Sequence, residues 1–482
     1  MKILFIYSLY NIVTPRKPLR ALESIQFGIS YISSLLKKHG HSTRLVVLSR
    51  ISGNKNEEIL DEYINNNHPH LICFTAVSSE YSFVASLARY VKKKYPHIYL
   101  LVGGAHVSLN PEGVLDDFDA LCVGEGEYPV LELVSQLEKG RIPLSIPNLW
   151  IKHEDKIEKN KPRPFLQNLD ELPFPDREMW QEWIEEEPNS VYAVLLGRGC
   201  PFNCTYCCNH ALRKLASGTY TRYRSPDNIL SEIEELTKKH VKKKSKREIY
   251  LEVETIGTNA DWVIDLCSKL ENFNKGLSCP WSFGTNLRVT PNLDVEPIFS
   301  AFKRANFRFV NIGLESGSER VRREILKRNY SNDDIIRTVK RARKYGLQVC
   351  FLNMMGLPGE TINDFKETVR MNRLCQPDWT SVSIFYPYPG TDLFALCEKK
   401  GLIKGQIDTE NEREKAILNL PGFSRRQIQR GCVWFEYNVY KRHRPRISLL
   451  RKSVGLIIRS NSYLFKLYKM VRRIPAPGFN KV

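Results

Sequence analysis

Three cysteines define the chemistry open to this chain. Cys200, Cys204 and Cys207 form a C-x3-C-x2-C array within Leu196–Asn209, Leu-Gly-Arg-Gly-Cys-Pro-Phe-Asn-Cys-Thr-Tyr-Cys-Cys-Asn. Three thiolates on one short loop suit three corners of a cubane iron–sulfur cluster, which is held by cysteine sulfur. The fourth iron then has no protein ligand and is open to bind and reduce a small molecule. Two alternatives stay open on the residues alone. Zinc could take the same thiolates with His210 as a fourth ligand, although structural zinc sites usually pair C-x2-4-C halves across a longer gap. Cys208 is a spare thiol that could replace Cys207.

Hydrophobic patterning predicts the elements that position this loop. The apolar run Val191–Leu196 leads into it as a buried strand, and Gly197 and Gly199 let the backbone turn sharply at its end. Further strands are predicted at Ile249–Val253, Trp281–Thr285, Phe309–Leu314, Val349–Met354 and Ser381–Phe385. Helices are predicted between them at Pro226–His240, Asp261–Asn272, Val295–Ala305, Asn332–Tyr345 and Ile362–Leu374. Residues 1–140 carry an earlier series, with strands at Ile3–Tyr7, Thr43–Leu48, Leu71–Val77, Tyr99–Val102 and Ala120–Val123. Its helices are predicted at Gly28–His39, Glu57–Asn66, Glu80–Tyr95, Pro111–Asp117 and Tyr128–Lys139. Alternating strands and helices imply crossover units and parallel sheets. Ligands of such folds bind at the carboxyl ends of the strands. The unusual turns lie there: Thr75–Glu80, Gly103–Ser108 and Gly124–Glu127 in the first series, and Glu252–Thr255, Gly313–Ser318, Gly356–Thr361 and Tyr386–Thr391 in the second.

The cysteine array resembles that of the radical S-adenosylmethionine (radical SAM) superfamily. The resemblance implies that SAM chelates the open iron of a [4Fe–4S] cluster. One electron, from a donor such as flavodoxin or ferredoxin, then breaks a sulfur–carbon bond and leaves a 5′-deoxyadenosyl radical. It places Tyr206 beside the adenine and Glu254 at the SAM amino group, where the wider superfamily has Gly-Gly-Glu. It places Glu315 and Ser316 at the ribose and carboxylate, and Gly356 and Pro358 near the adenine. Thr361 can equally cap the helix that follows.

Gly103-Gly104-Ala105-His106, Pro111-Glu112 and Gly124-Glu125-Gly126-Glu127 resemble the cobalamin (B12)-binding domain that precedes the radical SAM domain in one branch of that superfamily. The resemblance implies cobalamin contacts at Ser78, Gly103, Gly104, His106, Gly124 and Glu125. The Asp-x-His-x-x-Gly motif whose histidine ligates cobalt in another lineage does not occur, so His106 is expected near the cofactor without ligating cobalt.

The expected fold class is α/β: a Rossmann-like, doubly wound cobalamin-binding domain (1–140), a proline-rich connector with hairpin pieces (141–190), a partial (β/α)6 TIM-like radical SAM barrel (191–400), and a mostly helical basic C-terminal region (401–482). The connector's Leu169–Pro175 stretch resembles the hinge ahead of radical SAM domains in this branch.

Composition narrows the setting. A chain of 482 residues with 42% hydrophobic content holds two or three globular domains. Twelve cysteines in a chain this long are not a disulfide framework, and they suggest a reducing cytoplasm. No uncharged apolar run is long enough to span a membrane, and the apolar N-terminus is too short for a signal peptide. The net charge of +19 is densest after residue 423. Arg425–Arg451 and Tyr463–Arg473 interleave basic and apolar residues, so peripheral membrane contact through this region is one expectation; a helix with a solvated basic face is the other. Nucleic acid is not the expected partner.

The function expected from the resemblance is cobalamin-dependent radical SAM catalysis, most simply C-methylation of a small-molecule or lipid substrate. Oxidative cyclisation or rearrangement is the alternative. RNA methylthiolation is disfavoured, because its N-terminal domain needs three further cluster cysteines and this one offers only Cys73 and Cys122. A non-catalytic cobalamin or redox sensor is an alternative of another class.

Overall fold

The computed structural model describes residues 1–9, 17–19, 25–53, 55–154, 156–184, 191–239, 247–403 and 412–460. The chain divides into two units, one of residues 1–254, 265–283 and 388–394, the other of residues 255–264, 284–387 and those from 395 onward.

The first unit is built on a seven-stranded sheet. Its strands are β1 (Lys2–Leu9), β2 (Ser42–Ser49), β3 (Leu71–Thr75), β4 (Tyr99–Gly103), β5 (Ala120–Cys122), β6 (Leu149–His153) and β7 (Lys156–Lys159), in the order β2-β1-β3-β4-β5-β6-β7. The first five are parallel, with Phe5 opposite Leu45 on one side and Cys73 on the other. Strands covered on both faces read as apolar runs, and β1 accordingly buries Ile3–Ile6 without a break. Helices α1 (Phe27–Lys38), α2 (Lys55–Asn67), α3 (Tyr81–Lys94), α4 (Ala105–Leu109) and α5 (Glu127–Glu138) fall between or after these strands. The strand order reverses between β1 and β3, and a doubly wound sheet opens a crevice at the carboxyl ends of its strands there.

Two features differ from the sequence expectation. Pro111–Asp117 is not one helix but two 3-10 turns, Pro111–Gly113 and Leu115–Asp117; the segment is too short to sustain a cooperative α-helix. The connector's hairpin, β6 with β7, extends the first sheet in antiparallel fashion. Two of the connector's three tryptophans also pack inward: Trp180 donates to Ser30 Oγ at 2.9 Å and Trp183 to the Leu45 carbonyl at 3.0 Å.

The second series supplies β8 (Tyr192–Leu195), the short hairpin strands β9 (Gly197–Arg198) and β10 (Arg222–Tyr223), β11 (Glu248–Glu252), β12 (Ser282–Leu287), β13 (Phe307–Glu315), β14 (Gln348–Met355) and β15 (Trp379–Ile384). The sheet order is β15-β14-β13-β12-β11-β8, and the division between units runs through β12 itself. The pairs β8–β11, β13–β14 and β14–β15 are parallel. Helices α6 (Asn209–Leu212), α7 (Pro226–Lys239), α8 (Ala260–Lys275), α9 (Glu296–Arg304), α10 (Asn332–Lys344), α11 (Ile362–Cys375) and α12 (Asp392–Lys399) lie along this part of the chain. The C-terminal region is helical where described: α13 (Arg425–Val433), α14 (Phe435–Tyr440) and α15 (Arg446–Ser460). The basic stretch Tyr463–Arg473 lies outside the described residues. No described helix is long and apolar enough to cross a membrane.

Candidate active site

The cysteine loop springs from the β9–β10 hairpin of the first unit. Its entry is fixed where the Leu196 N–H meets the Glu252 carbonyl at 2.9 Å. Gly199 adopts φ +82°, and a Cβ there would lie 2.2 Å from the Tyr220 carbonyl oxygen, so only glycine lets the loop leave the hairpin. Cys204 is buried, and Cys200 and Cys207 are half-buried.

The donor set fits a cluster better than zinc. Among the described residues, no three His, Cys, Asp or Glu side chains converge closely enough to hold one metal ion. A cubane distributes its ligands over separate irons and needs no such convergence. His210 holds Asp392 instead, with Nε2 3.0 Å from Oδ1.

The loop also distinguishes its two adjacent thiols. A hydrogen bond from Cys208 brings the Cys207 thiol well below its ordinary range against the effect of burial, and Asn209 reinforces this. Asn209 does so through its backbone N–H at 3.5 Å and its Nδ2 at 3.6 Å from Cys207 Sγ. Cys208 moves the opposite way, pushed up by the same hydrogen bond and by burial. A cluster ligand must be a thiolate, so the environment favours Cys207. Burial pushes Cys200 up to about 11, and the charge of the exposed Glu254 adds to that rise. Tyr206 is half-buried on the same loop. Tyr220 donates to Asn209 Oδ1 at 2.7 Å, which orients the amide that reaches Cys207.

A cavity of about 390 Å³ lies in the same unit, within the usual size range of ligand sites. Its lining is mainly apolar and includes Phe5, Phe74 and Leu101 from the first sheet. Gly103, Gly104, Gly124 and Glu125 border it from the strand-end turns, and Arg198, Gly199, Tyr220 and Arg222 from the cluster hairpin. Gly104 has φ +105°, and a Cβ would fall 2.6 Å from the Ala76 carbonyl oxygen. Close approach of the Ala76 backbone thus requires glycine here, and the turn borders the cavity with bare backbone.

Glu125 is engaged by protein rather than turned loose into this cavity. It lies 3.2 Å from Arg198 Nη1 and 2.9 Å from Arg222 Nη2, and it accepts the Leu166 N–H at 3.0 Å. Glu127 takes the second Arg198 nitrogen at 2.5 Å. Burial raises the Glu125 pKa, but the two arginines outweigh it and hold the carboxyl below its ordinary value. His106 is buried, 3.1 Å from Ser78 Oγ through Nδ1, with its ring 4.6 Å from that of Tyr81. Among the described residues its Nε2 has no hydrogen-bond partner, and burial lowers its pKa, which favours the neutral ring.

The motif residues of the second unit sit at the ends of β13 and β14. Glu315, at φ +57°, occupies a register shift between the two strands and pairs with Arg328 at 2.9 Å. Ser316 is fully buried; its Oγ lies 3.3 Å from Thr368 Oγ1 and accepts the Ser318 N–H at 3.2 Å. Gly356 and Leu357 donate their N–H groups to Glu360 at 2.5 and 3.0 Å, and Pro358 is buried between. Burial pushes the Glu360 carboxyl up to about 8. Thr361 caps α11 in a reciprocal box with Asp364, the capping role its position ahead of the helix predicts.

Sequence reading misses Arg198, Asn209, Tyr220, Arg222 and Glu360 as site residues. Arg198 and Asn209 flank the cysteine array, so proximity alone could have raised them; Tyr220 and Arg222 stand in a stretch with no motif.

Comparison with known proteins identifies the domains that carry these residues. Residues 194–371 match the radical SAM superfamily and residues 20–134 the B12 binding domain. An uncharacterized methyltransferase of Pyrococcus horikoshii is 26% identical over 90% of this chain and 91% of its own. The anaerobic magnesium-protoporphyrin IX monomethyl ester cyclase of Rubrivivax gelatinosus is 25% identical over 76% of this chain and 65% of its own. Among solved structures, the radical SAM methyltransferase TsrM from Kitasatospora setae, with tryptophan and a SAM analog bound, has TM-score 0.64 and 16% identity over 84% of this chain and 77% of its own. The cobalamin-dependent SAM radical enzyme OxsB, with aqua-cobalamin and SAM bound, has TM-score 0.61 and 17% identity over 77% and 52%. The radical SAM match implies a [4Fe–4S] cluster and SAM, and the B12-binding match implies cobalamin. The chain belongs to the radical SAM superfamily, as an enzyme with a B12-binding domain ahead of its radical SAM domain.

Proposed function

We propose that this enzyme transfers a methyl group to an unactivated carbon of a small-molecule or lipid substrate in the cytoplasm, using electrons from a flavodoxin- or ferredoxin-type donor. One observation carries the reading: a single cavity is bordered both by the B12-type turns and by the hairpin that carries the cluster cysteines. When bound, the cluster and SAM supply a hydrogen-abstracting radical, and cobalamin supplies a transferable methyl group.

The chain's own part is positioning and exclusion of water. Cys200, Cys204 and Cys207 would hold the cluster. In the first unit Tyr206 and Glu254 are the residues that would face SAM; in the second, Glu315, Ser316, Gly356 and Pro358 would act by shaping their own strand ends. Gly103, Gly104 and Gly124 would offer bare backbone to the corrin. Glu125 and Glu127 pin the cluster hairpin to the turn through Arg198 and Arg222, and the apolar lining keeps water from a reactive radical.

The methyltransferase relative of Pyrococcus horikoshii supports methyl transfer. The cyclase relative favours radical cyclisation as the second reading. Anaerobic turnover with candidate substrates separates the two. Methyl transfer predicts one S-adenosylhomocysteine and one 5′-deoxyadenosine per methylated product. Substrate-dependent 5′-deoxyadenosine without S-adenosylhomocysteine would replace it with cyclisation or rearrangement. Bound cofactors without any SAM cleavage would leave a sensor.

A further inference from the structure

The positive charge of this chain is concentrated at one end. Residues 424–482 hold fifteen Lys and Arg and one acidic residue, Glu436, a net +14 of the chain's +19. The last described helix, α15, lies in that region and is seated on the second unit by one side. Leu449 and Ser453 are buried, Ser453 Oγ donates to the Val433 carbonyl at 3.1 Å, and Lys452 reaches Glu436 at 2.7 Å. Another side faces solvent with aliphatic residues: Ile447 is 68% exposed, Leu450 38% and Val454 47%. Spacings of three and four residues place these on one stripe of a helix. Arg446 and Arg451 are exposed, at either edge of that stripe.

We propose that α15 docks this enzyme on an anionic lipid surface, with the aliphatic stripe in the headgroup–acyl boundary and the flanking arginines on lipid phosphates. An apolar stripe between cationic edges is the pattern of a helix lying in a membrane interface, and basic residues add attraction to anionic headgroups. Charge complementarity selects this occupant. A second copy would bring two strongly cationic surfaces together. RNA would be gripped by cations and stacking aromatics, and it gains nothing from an Ile–Leu–Val stripe. The inference does not depend on which reaction the active site performs.

Sedimentation of the full-length, cofactor-loaded protein with vesicles tests it. The protein should pellet with vesicles of equal parts phosphatidylglycerol and phosphatidylcholine, and not with phosphatidylcholine alone. Binding should fall as salt screens the attraction. Leu450→Glu with Val454→Glu should abolish binding while circular dichroism and iron content stay unchanged. Arg446→Gln should weaken it about fivefold. If the double Glu variant misfolds, Leu450→Ala with Val454→Ala should still reduce binding. Failure to pellet with anionic vesicles at low salt, equal binding by a folded double variant, or loss of self-association or RNA binding rather than vesicle binding in that variant would each overturn the proposal.

Discussion

In the first unit, the Gly124–Glu127 turn directs its carboxylates onto the arginines of the cluster hairpin and leaves its glycines at the rim of an open cavity. In the second unit, the polar groups of the strand-end motifs are directed inward. Glu315 pairs with Arg328, Ser316 meets Thr368, and Glu360 folds back on the N–H groups of Gly356 and Leu357. Both regions carry family motifs, yet a motif carboxylate serves as a clamp in one and as a backbone support in the other. A motif residue can thus act by setting the shape of a strand end, without itself being the group that touches the cofactor.

Breaking the clamp should have the larger effect. Glu125→Ala leaves two mostly buried guanidinium groups short of a partner, and disrupting a buried pair from one side costs about 3 kcal/mol. The variant should melt earlier and retain less iron after anaerobic reconstitution. A double-mutant cycle with Arg222→Ala should show strong coupling between the two sites. Simple additivity would mean that the clamp does not act as a unit.

The Glu360 support should show itself through pH. Its folded pKa, about 8, lies above the unfolded carboxyl value. The stability it contributes is therefore fully present below the unfolded pKa and is lost as pH rises through about 8. Denaturant titrations from pH 5 to 8 should show a fall on the order of a few kcal/mol. Glu360→Gln should flatten most of that slope. An unchanged slope would mean that Glu360 ionises in the folded chain as it does in the unfolded one.

Smaller effects are expected around the cluster. Hydrogen bonds to cluster sulfurs help set the reduction potential. Asn209→Ala removes the side-chain donor to Cys207 and should shift the cluster midpoint to lower potential in an EPR-monitored redox titration. Tyr220→Phe, which only frees the Asn209 amide, should shift it less in the same direction. A shift from Tyr220→Phe larger than that from Asn209→Ala would contradict this relay. At the bottom of the scale, His106→Ala should leave the EPR signal of bound cob(II)alamin unaltered, with no histidine nitrogen coupling in either protein. Coupling that vanishes in the variant would make His106 a cobalt ligand.

Much of this molecule is legible in its sequence, because a parallel sheet turns strands into apolar runs and amphipathic helices into regular stripes. Predicted strands such as Thr43–Leu48 and Val349–Met354 lie within one residue of the observed Ser42–Ser49 and Gln348–Met355 at both ends. The misread element, Pro111–Asp117, is a region where short-range turns replace a helix. The cysteine array, the glycine rim and the Thr361 cap are also legible, because each depends on residue type at local spacing. The roles of Glu125, Arg198 and Arg222 are not. Their contacts join residues roughly seventy to a hundred positions apart, and no local pattern encodes that distance. The same holds for Ser316, whose partner Thr368 lies on a different element.

Iron analysis of two adjacent-cysteine variants tests the account most directly. Full-length protein reconstituted anaerobically should hold one four-iron cluster, with the EPR signal of its reduced form perturbed by SAM. Cys207→Ala should lose that cluster and all SAM cleavage, as should Cys200→Ala and Cys204→Ala. Cys208→Ala should keep both. A Cys208→Ala protein without a cluster, beside a Cys207→Ala protein that retains one, would contradict the ligand assignment on which the rest of the site is built.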